Sequence, residues 1–107
     1  MSGFDDRKKA QENKFAHDQE LRFKANARRN KLLGLWAAEK LGLGGEQAEA
    51  YAKTVVTADV EEAGDQDVFR KVKADLTAKG VAVSDHQLRR EMDDLMKTAI
   101  EQVQAGR

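Results

Sequence analysis

The sequence predicts an all-α protein, a four-helix bundle with a long, mobile N-terminal helical arm. The chain of 107 residues has no proline, and good helix formers such as alanine, glutamate, lysine and leucine dominate its composition. Its apolar residues recur at the three- and four-residue spacing of a helix, with little of the alternation that is typical of strands. Glycines follow the helical patterns where C-terminal ends are expected, at Gly42, Gly64, Gly80 and Gly106. This length suits one domain with a single core.

The first predicted helix spans about residues 5–41, and its two halves differ. From Leu21 onward it carries an apolar stripe that can face other helices. Trp36 is interpreted as a core residue, because burial of a large apolar side chain contributes about 1.5 to 3 kcal/mol. The residues assigned to the stripe are Leu21, Ala25, Leu32, Leu35 and Trp36, with Leu33 as a helper.

The second predicted helix spans about residues 46–63, after a flexible corner at Gly44 and Gly45. The third spans about residues 66–79. Asp65 is the expected N-cap of the third helix, since aspartate accepts hydrogen bonds from the free N–H groups of a helix start. The apolar residues that these helices direct to the core are predicted to be Ala48, Tyr51, Ala52, Val55, Val56, Val68, Phe69, Val72 and Leu76.

The fourth predicted helix spans about residues 85–104, and two local signals mark its start. Ser84 and Gln87 have the spacing of a capping box, in which each side chain bonds the backbone N–H of the other residue. Val83 and Leu88 occupy the positions of a hydrophobic staple. The apolar stripe of this helix consists of Leu88, Met92, Leu95, Met96, Ala99 and Val103.

Residues 1–20 are predicted to form a separate arm, and residues 21–107 the bundle. After Met1, the large apolar side chains of the arm are Phe4 and Phe15, eleven residues apart. At about 100° per residue, this spacing places both rings on nearly the same side of a helix. Two rings on a polar helix anchor it weakly, so we expect an arm that is partly disordered when free and folds on binding. The alternatives are a disordered terminus, or rings that pack back onto the bundle.

Charge and composition exclude several classes of function. With 19 basic and 19 acidic side chains, the chain has no net charge to draw it to nucleic acid or to an anionic membrane. It has no cysteine, which excludes disulfides, thiolate metal sites and a cysteine nucleophile. No stretch has the uninterrupted apolar character of a signal peptide or a membrane span, so we expect a cytoplasmic protein without direct membrane insertion.

The sequence offers no pattern for catalysis or metal binding. The two histidines, His17 and His86, belong to no metal-binding motif. The serines are Ser2 and Ser84, and no serine is paired with a base. We therefore expect no enzyme, no metal and no cofactor. His17 is either an idle exposed side chain or a pH sensor in the arm.

A basic cluster follows the arm, and its simplest interpretation is a solvated helix face. RNA binding would need several aromatic side chains among the cations, and Phe23 alone does not provide them. A protein-binding face around Arg28 and Arg29 is the alternative, which would make the chain a small helical adaptor. The cluster consists of Arg22, Lys24, Arg28, Arg29 and Lys31.

Three phrases carry a family resemblance: FDDR at residues 4–7, KFAHD at residues 14–18 and ARRNKLLGLWAAE at residues 27–39. The similarity continues through residues 50–52, the third helix, and the last helix with Arg89 and Met92. Together these stretches resemble the zeta-subunit inhibitor family of alphaproteobacterial F-type ATP synthases. The similarity covers nearly the whole chain, and its longest phrase is the most specific.

The resemblance implies a bundle whose arm, residues 2–19, enters a catalytic interface of the soluble head of the ATP synthase. There the arm blocks ATP hydrolysis and spares synthesis, which makes the protein peripheral to the inner membrane through that enzyme. We expect a monomer when free, with Arg22, Arg28 and Arg29 as additional contacts. The family also implies a weak adenine-nucleotide site, for which no residue pattern stands out here. The arm residues that match the inhibitory pattern are Phe4, Asp5, Asp6, Arg7, Lys14, Phe15 and His17.

Overall fold

The described part of the chain consists of four helices and the turns between them. The structure is a computed structural model that describes the backbone of residues 2–58 and 65–106 and the side chains of residues 19–58 and 65–106. Those residues contain no strand, which confirms the all-α prediction. Residues 59–63, predicted to end the second helix, lie outside the described part. The helices are α1 (Ser2–Lys40), α2 (Gly45–Ala58), α3 (Gln66–Ala78) and α4 (Asp85–Gln104).

The starts of α4 and α3 differ in how they are capped. At α4, the Gln87 N–H donates to Ser84 Oγ at 3.1 Å, and the Ser84 N–H donates to Gln87 Oε1 at 3.0 Å, so the predicted capping box is confirmed. Asp65 occupies the N-cap position of α3, but its side chain makes no capping hydrogen bond. That predicted role is wrong, because the Asp65 carboxylate is bonded to arginines of α1 and α4 instead.

The C-terminal ends of α1 and α3 are closed by glycine, as predicted. Gly42 and Gly80 have φ angles of 78° and 79°, which other residues adopt only with strain. After α3, the Gly80 N–H donates to the Thr77 carbonyl at 3.0 Å and the Val81 N–H to the Leu76 carbonyl at 2.9 Å. These two hydrogen bonds together form the Schellman motif. Gly64, predicted to end the second helix, lies outside the described residues.

The core is formed where α1 faces the other three helices. Leu33, predicted only as a helper, is completely buried, whereas Trp36 is partly buried at the edge of the core. Trp36, predicted as a core residue, therefore packs against the core from its edge. Lys40 Nζ lies 4.9 Å from the centroid of the Trp36 ring, a cation–π contact. The centre of the core consists of Leu33, Val55, Val68, Val72, Leu76, Leu88 and Met92.

The absence of a side chain at Gly34 sets the distance between α1 and α2. A Cβ atom at Gly34 would lie 2.5 Å from Ala52 Cα and 3.0 Å from Ala52 Cβ. The first distance is shorter than any ordinary non-bonded contact, and the atom it meets belongs to the backbone. The two helices therefore pack with their backbones almost in contact, which fixes the position of α2 on α1.

α1 is much longer than the helices that cover it. Its 39 residues correspond to about 58 Å at 1.5 Å per residue, and the molecule measures 60 × 26 × 23 Å. The longest of the other helices, α4, has 20 residues, or about 30 Å. Among the described side chains of α1, full burial begins at Ala25. The C-terminal half of α1 thus belongs to the core, and α1 as a whole is much longer than any helix that packs on it.

Candidate partner-binding surface

The candidate site residues fall into two groups along α1. The first group belongs to the arm and lies in the N-terminal half of α1, where side chains are outside the described residues. Their predicted roles in partner binding therefore stay predictions. The second group, Arg22, Arg28 and Arg29, lies next to the bundle, and the structure describes it in full. The arm group consists of Phe4, Asp5, Asp6, Arg7, Lys14, Phe15 and His17.

The three arginines of the second group differ in exposure. Arg22 is exposed to solvent. Arg28 is half-buried, and its Nη1 donates to Gln102 Oε1 of α4 at 3.2 Å. Arg29 is only 3% exposed, so the interpretation of the basic cluster as one solvated face is wrong at this position. Arg29 belongs to the interior of the bundle and is not available to a partner.

Asp65 joins α1, α3 and α4 through two arginines. Arg29 Nη1 of α1 lies 3.5 Å from Asp65 Oδ2, and Arg89 Nη1 of α4 donates to Asp65 Oδ1 at 2.7 Å. The Arg89 guanidinium also lies over the Phe69 ring of α3, 4.5 Å from its centroid. Inside the bundle, Arg29 Nε donates to Asn30 Oδ1 at 2.7 Å. Buried charge is thereby paired and hydrogen-bonded, as its desolvation requires.

The surroundings of Asp65 shift its ionisation. Partial burial alone would raise the pKa of this carboxyl group, but the hydrogen bond from Arg89 and the positive charges of Arg89 and Arg29 outweigh burial and hold the pKa below its usual value. Asp65 is therefore ionised throughout the neutral range. This network is an ion-pair connection between helices, and it contains no nucleophile.

Sequence reasoning missed the buried polar pair on α1, although a signal for it exists. Arg29 lies four residues after Ala25 and four before Leu33, and all three residues are buried. In the same way Asn30 precedes the buried Gly34 by four residues. The three- and four-residue spacing of the core stripe therefore includes both polar residues. Buried positions assigned by spacing alone, without regard to polarity, would have included them.

A surface cleft lies where the basic cluster of α1 meets α2 and α4. Its volume is about 630 Å³. Phe23 forms part of its wall. Its side chain is 77% exposed, and among the described residues it is the one large apolar side chain that is exposed. Val56 of α2 and Val103 of α4 also line the cleft. Sequence reasoning did not find this cleft, because its lining comes from three helices that are far apart in the chain.

A second polar network lies between α2 and α3. The Tyr51 hydroxyl donates to Asp75 Oδ2 at 2.8 Å, and Lys71 Nζ lies 3.0 Å from the same oxygen. Burial raises the pKa of the Tyr51 hydroxyl, and its bond to the Asp75 carboxylate raises it further. Tyr51 therefore stays neutral and donates permanently, which suits a structural connection between helices.

No metal-binding group of side chains and no membrane-spanning helix is found among the described residues. Across residues 19–58 and 65–106, no group of three histidine, aspartate or glutamate side chains is arranged to hold a metal ion. In the same described part, none of the helices combines the length and the apolar character needed to span a bilayer. His86 is exposed in the first turn of α4.

Comparison with protein families decides the assignment. The family model described as ATPase inhibitor subunit zeta matches residues 1–102. The chain belongs to this zeta family. The match includes the arm as well as the bundle, so the whole of α1 is part of the family pattern, and the resemblance inferred from the sequence is confirmed.

A solved structure has a similar fold. A protein determined by solution NMR is 48% identical to this chain and superposes with a TM-score of 0.72. The alignment covers 81% of this chain and 99% of the other. A search of curated proteins gave no match.

Proposed function

We propose that this zeta-family chain inhibits ATP hydrolysis by an F-type ATP synthase, and that its arm, residues 2–19, inserts into a catalytic subunit interface of the soluble head. Membership of an ATPase inhibitor family supports the inhibitory role. The insertion is inferred from the length of α1. This helix has 39 residues, whereas the longest helix that packs on it has 20. The longest of the other helices therefore matches only about half the length of α1.

The arm is much narrower than the bundle. The bundle, at 26 × 23 Å in cross-section, is too wide to follow the arm between two packed subunits. The arm alone is a single helix with a diameter of about 10 to 12 Å. On insertion, Phe4 and Phe15 would fill apolar pockets, since they lie on nearly the same side of a helix. Rotation of the enzyme requires its catalytic interfaces to open and close, and an inserted rod would prevent closure.

The charged residues of the arm would set its register in the interface. Asp5, Asp6 and Arg7 follow the first ring, and Lys14 and His17 flank the second. Ion pairs with the enzyme at both ends would allow one depth of insertion and disfavour others. Mismatched depths would leave charges desolvated without partners, which costs several kcal/mol.

The test is ATP hydrolysis by the cognate enzyme with added full-length chain. Deletion of residues 2–19 should abolish inhibition, and the double substitution Phe4→Ala with Phe15→Ala should raise the half-inhibitory concentration by about 100-fold, as expected for the loss of two buried anchors. Asn13→Ala is the matched control, because its spacing of nine residues from Phe4 predicts a position on the opposite side of a helix. It should change the half-inhibitory concentration by less than threefold. Full inhibition by the deleted chain would contradict the proposal.

The adaptor function, binding through a face around Arg28 and Arg29, has less support. Arg29 is buried and paired with Asp65, so one of the two arginines that define this face is not exposed. A pull-down from cell extract that recovers no ATP synthase subunit would favour an adaptor over an inhibitor.

A further inference from the structure

We propose that the cleft beside Phe23 is a second docking site for the same enzyme head, and that it takes an acidic segment with one apolar side chain. This inference rests on the proposed function, because it assigns a contact of the bundle to the enzyme that the arm enters. The cleft has an apolar wall and a basic rim, and each part predicts one property of the occupant.

The apolar wall predicts an apolar side chain. Phe23 is 77% exposed, although the other phenylalanine among the described side chains, Phe69, is partly buried against the core. A single exposed ring needs no explanation by itself. Here the ring stands beside a cleft of about 630 Å³ that also exposes Val56 and Val103. An aromatic side chain next to an apolar depression is typical of the centre of a protein interface.

The rim predicts acidic side chains. Lys24, Arg28 and Lys31 line the cleft, and no carboxylate is among its described lining residues. Arg28 is held in place by Gln102, and Lys31 is exposed. Lys24 contacts Glu20 at 3.2 Å, but both side chains are more than half exposed, and such an exposed ion pair contributes little to stability. An acidic side chain of the partner could therefore replace Glu20 as the ion-pair partner of Lys24 at little cost in free energy.

The position of the cleft on α1 predicts which protein supplies this segment. Lys24, Arg28 and Lys31 lie at i, i+4 and i+7, so they share one face of the helix. Phe23 follows the arm residue Phe15 by eight residues, or about 12 Å along the same helix. A partner that surrounds the arm therefore ends within reach of the cleft. The acidic segment belongs to the rim of the interface that the arm enters.

Inhibition by full-length variants tests the second site. Phe23→Asp and Lys31→Glu should each raise the half-inhibitory concentration about tenfold, and Phe23→Ala about threefold. Lys97→Glu is the matched control, an exposed cation of α4 outside the cleft, and it should stay within twofold of the unmodified chain. Far-UV circular dichroism checks that each variant keeps its helices. Raising the salt concentration should weaken the unmodified chain more than Lys31→Glu, because one ion pair is already lost in the variant.

Each outcome supports or overturns the docking site. If the unmodified chain inhibits and Phe23→Asp inhibits equally well, the second site is wrong and the inserted arm stands. If the unmodified chain does not inhibit at all, the proposed function fails and the second site fails with it. Sedimentation velocity separates a third outcome: self-association of the unmodified chain that Phe23→Asp abolishes, with inhibition unchanged, would assign the cleft to a second copy of this chain and overturn the proposal.

Discussion

Asp65 connects three helices of the bundle. Its two oxygens contact Arg29 of α1 and Arg89 of α4, and it precedes α3 directly. The side chain of Arg29 is 4% exposed, whereas that of Asp65 is 35% exposed. Loss of the carboxylate would therefore leave a cation buried without its counter-charge, which is more costly than losing a surface ion pair.

Asp65→Asn should lower the free energy of unfolding at pH 7 by about 1 to 3 kcal/mol, as expected for a charged hydrogen bond in a partly exposed site. Urea unfolding followed by circular dichroism measures this change. Asp94→Asn, an exposed carboxylate of α4, is the control and should change stability by less than about 0.5 kcal/mol. Equal effects of the two substitutions would mean that Asp65 does not hold the helices together.

The same site predicts a pH dependence. The pKa of Asp65 in the folded chain lies below its ordinary value of 3.8, so the folded state binds the proton less readily than the unfolded state. Its contribution to stability is complete above about pH 4 and is lost as the pH falls through the lowered pKa. The difference in unfolding free energy between the unmodified chain and Asp65→Asn should therefore be constant from pH 7 to pH 5 and shrink below about pH 4. A difference that grows in acid would contradict this assignment.

At the scale of elements, the contact of α1 with α2 depends on Gly34. Gly34→Ala should destabilise the bundle by up to about 2 kcal/mol, because overpacking costs about 1 to 3 kcal/mol and the better helix propensity of alanine returns about 1 kcal/mol. Gly44→Ala is the control, since a Cβ atom there meets nothing within 4 Å. Thermal unfolding should show a lower midpoint for Gly34→Ala only. An unchanged midpoint would show that α2 can move away without cost.

The start of α4 offers a second test at this scale. Ser84→Ala should lower the free energy of unfolding by about 1 kcal/mol, because it leaves the Gln87 N–H without its acceptor. Gln87→Ala should cost less, since the Ser84 N–H is exposed and can bond to water. The double variant should cost less than the sum of the two, as expected for reciprocal bonds. Additive effects in urea unfolding would mean that the two bonds act independently.

The start of α4 and the end of α3 were predictable from sequence because caps and glycines act locally. Ser84, Gln87 and Gly80 do in the structure what their spacing indicates. The interior was predicted less well, since Leu32 and Leu33 both fit a helical stripe and only the packing of the other helices selects Leu33. Arg29 was missed because its partner Asp65 is distant in sequence, so nothing local indicates that its charge is compensated.

The two parts of the candidate site, the arm and the cleft, also differ in how far the sequence predicts them. The arm was predicted from an absence, the lack of a core stripe ahead of Leu21, and that pattern is visible in one stretch of sequence. The cleft beside Phe23 depends on Val56 and Val103, which come from two other helices. No periodicity relates residues that meet only in the folded bundle. Sequence reasoning could therefore propose the first contact with a partner but not the second.

For the whole molecule, the arm and the bundle should be separable in stability. Deletion of residues 2–19 should change the free energy of unfolding by less than about 1 kcal/mol, because full burial in the described part of α1 begins only at Ala25. Leu33→Ala, at the centre of the core, should cost about 2 to 5 kcal/mol in the same urea experiment. A loss of more than about 2 kcal/mol on deletion would show that Phe4 and Phe15 pack onto the bundle.

α1 runs without a break from Ser2 to Lys40, so the arm joins a helical turn that the core already holds. Nucleating a helix from coil is unfavourable by a factor of about 10⁻³, or about 4 kcal/mol, whereas adding residues to an existing helix is close to neutral. In the proposed complex, any part of the arm that becomes helical against the enzyme would therefore only propagate an existing helix. The bundle would then act as a template for the arm and favour binding through residues that the enzyme does not contact.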